Sequence, residues 1–384
     1  MYASIDHQRL GWVLRNQDQF RLARFNHLND ANVADPDNMS LDKLGQRVFL
    51  PSSYIGGHRN MNQCFQDAMA VARYFRKVDL FITMTTNPQW EEIIAELLPG
   101  QTAYDRPDLV ARVFCLKKQA LLDYICKKGV FGKTVAYVYT IEFQKRGLPH
   151  VHLLIFLQDS YKLLSPEAID SCIWAHWPDP ETQPLLFETV KKCMVHGPCG
   201  PEFLKAPCMV EDAHGNLVCS KGFPKAFSEA TNMDRNGYPL YYQPNDGRAY
   251  EVNGKMVDNR WLVPYPPFLL AEFDCHLNSE CAVSFATLKY AFKYAYKGPD
   301  RGALEVEKKD EVKQHVDGRY ITPPDASWRI YSYEIHEIVP NIIRLQIHLP
   351  GEQMIVFNSD DNPDAVLERG KAQKTMLTAF FDAN

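Results

Sequence analysis

The sequence predicts an α+β fold: a central antiparallel β-sheet flanked by helices, with a Cys-rich insertion and a β-rich C-terminal extension. Three observations predict it. Runs rich in β-branched and aromatic residues are interleaved with stretches of helical spacing. Two of those runs are joined only by the short link "KRGLP", a hairpin signal. Between about 176 and 260 periodicity fades while Pro, Gly and Cys accumulate.

Taken in order, residues 1–50 are polar, carry turn signals such as "NDANVADPDN", and read as a partly disordered lead-in. The first part of the core is expected over 51–175. "MNQCFQDAMAVARYFR" (61–76) sets Phe65, Met69 and Phe75 on one helical side. "DLFITMT" (79–85) is a buried strand ended by Asn87-Pro88, with Trp90 as a packed indole or a contact to nucleic acid. "RPDLVARVFCLKKQALLDYICKKG" (106–129) is a long amphipathic helix, with Asp108 near its start and Gly129 after its end. The hairpin strands "KTVAYVYTIEFQ" and "HVHLLIFL" follow, with Phe143 in the core and Lys145 and Arg146 at the tip. After the insertion, the core resumes over 261–305 with a helix at "CAVSFATLKYAFKYAYKG" (281–298). In the extension, 306–384, "WRIYSYEIHEI" and "IIRLQIHLPGEQMIVF" read as strands.

Composition narrows the function classes. With 46% hydrophobic and 23% charged residues in 384, the chain can bury a real core. It has no apolar run long enough to span a bilayer and no N-terminal secretory pattern, so no membrane partner and an intracellular setting are expected. The formal charge is −5, which rules out a coat of positive potential, so contacts to nucleic acid must come from local clusters. Ten cysteines without an export signal point to a reducing compartment, and most of them read as small buried hydrophobes.

Three constellations carry chemistry. His150 and His152 stand at i and i+2 on a strand and therefore project from one face. Neutral imidazoles so placed chelate a divalent cation when an oxygen donor completes the set, although an H-x-H at a strand start is also common as a hydrogen-bonded surface pair. If the hairpin loop is Lys145–Gly147, Glu142 lies opposite His150 and becomes the third ligand; a two-residue loop turns it away. The second constellation is helical: Tyr290 and Tyr294 are i, i+4, with Lys289, Lys293 and Lys297 as a basic stripe beside them. Such a stripe suits phosphate, and a phenol can attack a phosphodiester whose charge is neutralised; the plain alternative is aromatic packing with a solvated lysine face. Third, His196, Cys199, Cys208 and Cys219 give H-x2-C and C-x10-C in a loop-rich stretch, a feasible structural Zn²⁺ site with Cys193 and His214 as alternative ligands.

The segments "DLFITMTTNPQW", "EFQKRGLPHVHLLIFL", "HGPCG…PCM…CSKGFPKAF" and "LKYAFKYAYKGPDR", in this order between about 45 and 350, resemble the replication-initiator domain of Helitron rolling-circle transposases, a branch of the HUH endonucleases. The resemblance implies the HUH fold, with His150, Val151 and His152 as the HUH triplet and Tyr290 and Tyr294 as nucleophiles. Glu142, eight residues before His150 as in related viral initiators, is favoured over Gln144 as third ligand. It further implies cleavage and rejoining of single-stranded DNA at transposon ends through a 5′-phosphotyrosine, with Mg²⁺ or Mn²⁺, in a nuclear protein. Full family members continue into a helicase, which is not expected within these residues; "GVFGKT" (129–134) lacks a phosphate-loop spacing and leads into a strand. The chain is thus expected to be an excised domain or a truncated or domesticated copy. Two rival expectations are a non-catalytic DNA-binding remnant and a metal-dependent small-molecule enzyme, the latter leaving the Tyr/Lys helix without a role.

Overall fold

A computed structural model describes residues 1–17, 50–143, 147–201, 203–233, 239–282, 311–318, 321–345, 347–349 and 374–384. These fall into two units, 1–340 and 341–384.

The first unit is organised by a five-stranded sheet of order β10-β1-β3-β2-β11, formed by β1 (Leu80–Thr85), β2 (Thr134–Phe143), β3 (Pro149–Leu157), β10 (Leu277–Cys281) and β11 (His336–Val339). Every neighbouring pair is antiparallel. The mixed α+β class with a central antiparallel sheet is therefore as the sequence predicts. Three separate two-stranded sheets lie in the Cys- and Pro-rich stretch: β4 (Met209–Glu211) with β5 (Leu217–Cys219), β6 (Asn232–Met233) with β7 (Pro239–Leu240), and β8 (Ala249–Val252) with β9 (Lys255–Asp258).

Alternation divides the main sheet into two unlike faces. Ile82, Met84, Leu153, Ile155, Tyr139 and Ile141 form one, all at or below 4% exposure. Helix α3 (Pro107–Leu122) packs here. Pro107 occupies its first turn, where a missing N–H costs nothing, and Val110, Val113, Phe114 and Leu121 share its buried side. Phe114 and Phe143 lie 6.0 and 6.1 Å from Trp328, and Lys118 donates from Nζ to the Tyr139 hydroxyl at 2.9 Å. Each large apolar side chain buried here stabilises the fold by roughly 1.5–3 kcal/mol.

The opposite face carries Phe81, Thr83, Thr85, His150, His152, Phe156, Thr140 and Glu142. Helix α2 (His58–Phe75) touches it, with Phe75 5.8 Å from Phe156. That helix buries Met61, Ala68, Val71 and Ala72 along one side and stops where Arg76 turns left-handed at φ 64°. The chain then drops into β1 through the buried Asp79, whose carboxylate accepts from Leu157 N at 2.7 Å and Lys162 Nζ at 3.2 Å.

Two expectations are corrected. Residues 2–15 of the lead-in form helix α1 (Tyr2–Arg15), with Leu10 and Val13 buried against Leu50 and Val312; its mixed composition hides a narrow apolar stripe. Residues 18–49 lie outside the described residues. The C-terminal extension is not β-rich among its described residues. Helices α6 (Glu311–Gly318), α7 (Pro323–Ile330) and α8 (Met376–Ala383) occupy it, and the four-residue β11 is its one strand. The stretch around "WRIYSY" became helical because Thr322 caps the N-terminus, Pro323 and Pro324 fit the first turn, and this places Trp328 in the core. Most of "IIRLQIHLPGEQMIVF" lies outside the described residues, and its described part has no regular structure.

The first unit also contains helices α4 (Pro184–Cys193) and α5 (Pro267–Phe273). Trp90 is 3% exposed and donates its indole N–H to Phe273 O at 2.7 Å, which is the packed-indole reading. In the second unit, Thr375 caps α8, and His348 Nε2 pairs with Thr375 Oγ1 at 2.8 Å.

Candidate functional site

The hairpin closes in the register that a three-residue loop requires. Phe143 pairs with Pro149 and Glu142 with His150, and Gly147 takes φ 88°, a left-handed value that suits the end of such a loop. Glu142, His150 and His152 consequently share one face of the sheet.

Two rows of side chains cross that face. One runs Thr85–His150–Glu142, the next Thr83–His152–Thr140–His336. His152 Nε2 lies 2.8 Å from Glu142 Oε2, with both side chains 10% exposed. On its other side, His152 Nδ1 meets Thr83 Oγ1 at 3.0 Å, and His150 Nδ1 meets Thr85 Oγ1 at 2.7 Å. Phe81 stacks on the His152 ring at 5.8 Å and 10°. Thr140 pairs with His336 Nδ1 at 2.9 Å. Burial pushes His336 down to about 4, while the Asp67 carboxylate works against that shift. Two imidazoles and a carboxylate on one face are donor types that suit a divalent cation, although of these three His152 and Glu142 are the pair in direct contact, and the metal-ready group among the described residues is the Cys/His cluster.

The second cluster stands in the Cys-rich stretch. One ligand atom each from His196, Cys199, Cys208 and Cys219 lies within 4.8 Å of all the others, a group that can hold a metal ion. Its geometry has local causes. His196 is fixed by its N–H to Trp261 O at 2.8 Å and by stacking on Phe223 at 4.1 Å. Cys208 and Cys219 are brought together by the β4–β5 hairpin, where Met209 pairs with Cys219 and Ser220 N donates to Cys208 O. At the far end of the hairpin, the Asp212 carboxylate accepts from His214 N and Asn216 N, so His214 belongs to the turn. Neither His214 nor Cys193 joins the cluster, which decides between the alternatives the sequence leaves open.

The electrostatics of this cluster differ from one side chain to the next. Burial, with the Cys208 and Cys219 sulfurs close by, pushes the Cys199 thiol up to about 12. Burial acts the same way on Cys219, but the N–H groups of Phe223 and Lys221 overcome it and hold that thiol below its usual value. Burial, helped by Lys225 and Lys221, keeps His196 neutral to lower pH than usual.

Tyr290, Tyr294, Lys289, Lys293 and Lys297 lie outside the described residues, as do Lys145 and Arg146. The neighbours of the candidate site that sequence reasoning did not single out are Thr83, Thr85, Thr140 and His336. A signal was present in the i, i+2 threonines of "FITMT", which match the spacing of H-x-H, but which strand lies beside β3 is not written in either segment.

Fold and site together define an α+β domain with an imidazole–carboxylate group on one face of an antiparallel sheet and a separate Cys/His cluster. Residues 1–155 match the family described as the Helitron helicase-like domain at the N-terminus, the resemblance that the motifs carry. The matched segment runs from α1 almost to the end of β3 and contains Glu142, His150 and His152. No curated protein matches the chain. No helix among the described residues is long and apolar enough to cross a membrane.

Proposed function

We propose that this protein is an HUH-type endonuclease and strand transferase that cleaves and rejoins single-stranded DNA during rolling-circle transposition. The observation that carries the reading is the grouping of Glu142 with His150 and His152 on one sheet face, inside the segment that matches a Helitron family. These three residues would hold Mg²⁺ or Mn²⁺. When bound, the cation neutralises charge on a phosphate oxygen and so lowers the barrier to attack by a weak nucleophile.

The chain's own groups do the rest. The phenolic oxygen of Tyr290 or Tyr294 attacks the phosphorus of a phosphodiester and gives up its proton; the P–O3′ bond breaks, and the departing 3′-oxygen takes up one proton to become a hydroxyl. The product is a 5′-phosphotyrosine that retains the phosphodiester's energy, so a 3′-hydroxyl can reverse the step without nucleotide hydrolysis. The second tyrosine allows another transfer before the first is released. Lys289, Lys293 and Lys297 bind the DNA backbone. His196, Cys199, Cys208 and Cys219 hold a structural Zn²⁺, three thiolates and an imidazole being a common set for that ion. The partners are single-stranded transposon ends and a helicase domain, and the site of action is the nucleus.

The test is incubation with labelled single-stranded DNA and Mg²⁺ or Mn²⁺, followed by a denaturing gel. A covalent protein–DNA adduct is expected, lost in the Tyr290→Phe, Tyr294→Phe double variant and in His150→Ala. DNA binding without an adduct on any terminal sequence would replace this reading with that of a non-catalytic DNA-binding remnant.

A further inference from the structure

The imidazoles of His150 and His152 are each gripped from β1, by a residue for which neither packing nor pairing demands a hydroxyl. Along β1, Leu80, Ile82 and Met84 face the core, while Phe81, Thr83 and Thr85 face the histidines. Valine would fill the two threonine positions equally well as strand residues. Instead both carry an oxygen, and each oxygen meets Nδ1 of the histidine directly across in the register, at 3.0 Å for Thr83–His152 and 2.7 Å for Thr85–His150. Threonine is stiff at χ1, so each hydroxyl is delivered from a fixed position.

We infer that Thr83 and Thr85 are positioning residues that hold both imidazoles with Nε2 as the ligating atom. The inference rests on the reading of Glu142, His150 and His152 as metal ligands. With Nδ1 held, each ring can neither swing about its Cβ–Cγ bond nor present Nδ1 to a cation. His152 shows why a hydroxyl serves better than a carbonyl. Its Nε2 lies 2.8 Å from Glu142 Oε2, so the two ring nitrogens have separate partners, Glu142 at Nε2 and Thr83 at Nδ1. A hydroxyl can donate or accept and so pairs with Nδ1 in either neutral tautomer, whereas a backbone carbonyl pairs with only one and a methyl with neither. Phe81, stacked on His152, holds the ring plane. Outer partners of this kind commonly tune metal affinity by about 10–100-fold.

The experiment is a Mn²⁺ titration of the full chain followed by electron paramagnetic resonance, without DNA and with zinc present to fill the Cys/His cluster. Wild type is expected to bind Mn²⁺, and His150→Ala, His152→Ala to lose that binding. The Thr83→Val, Thr85→Val variant should bind about 10–100-fold more weakly, and Thr83→Ser, Thr85→Ser close to wild type. The single variant Thr83→Val serves if the double valine variant does not fold. Valine variants with wild-type Mn²⁺ affinity overturn the inference and leave the endonuclease reading standing. Wild type that binds no Mn²⁺ overturns both.

Discussion

At the scale of single residues, the site and the core behind it obey the same rule: a buried polar group is tolerated because its partner is built in. Lys118 shows this most clearly. It is 6% exposed on α3, burial holds its ammonium below the usual value, and its donor reaches the Tyr139 hydroxyl at 2.9 Å while Nζ sits 4.4 Å over the ring. Tyr139→Phe keeps the ring and its attraction for the cation but removes the acceptor. The variant should unfold at lower urea concentration, with a loss of roughly 1–3 kcal/mol and no change in the urea dependence. Burial with no stranded donor predicts no such loss.

At the scale of elements, local pairing made part of the fold legible. The β4–β5 hairpin alone brings Cys208 and Cys219 side by side, while His196 and Cys199 arrive from the segment that follows α4. The cluster therefore ties the largely exposed β4–β5 hairpin to a segment whose Met194 and Cys199 are buried in the core. Metal analysis of Cys208→Ala should show zinc content reduced to near zero, and chelation of wild type should raise hydrogen exchange across β4 and β5 while β1, β2 and β3 stay protected. Unchanged zinc in Cys208→Ala would sink the ligand assignment. The hairpin β2–β3 was legible for a similar local reason. Its short loop with Gly147 sets the register, and the register alone brings Glu142 opposite His150. Helix α7 was missed because "WRIYSY" has good strand residues, which the Thr322 cap, the prolines of the first turn and the burial of Trp328 against Phe114 and Phe143 together override.

The whole molecule adds an acid sensitivity that none of its parts announces. His176, His196, His276 and His336 are all held below the ordinary histidine value, burial being the leading cause each time. For His336 the folded value is about 4 against roughly 6.5 unfolded. Asp67 from α2 attracts its proton, and Glu334, Asp325 and Arg329 line the same cavity. The native state thus takes up protons less readily than the unfolded chain. The resulting stability is complete above pH 6.5 and falls away as pH drops towards 4, by on the order of 2–3 kcal/mol for this group. Urea unfolding between pH 7 and pH 4 should show that decline, and His336→Gln should flatten it by the share of one proton. An equal slope in the variant would remove His336 from the account.

Much was decided by the sequence alone: many of the strand and helix periods, the hairpin, the H-x-H pair, and the candidate ligands of H-x2-C and C-x10-C. All of these depend on contacts within a few dozen residues, where turn chemistry and side-chain alternation leave few alternatives. Only the tertiary structure set β1 beside β3 and β11 beside β2, and so delivered Thr83 and Thr85 to the histidines and His336 to Thr140. It also chose His196 over His214. Strand order and ligand choice are settled by burial summed over segments far apart in the chain, and no local pattern records that sum.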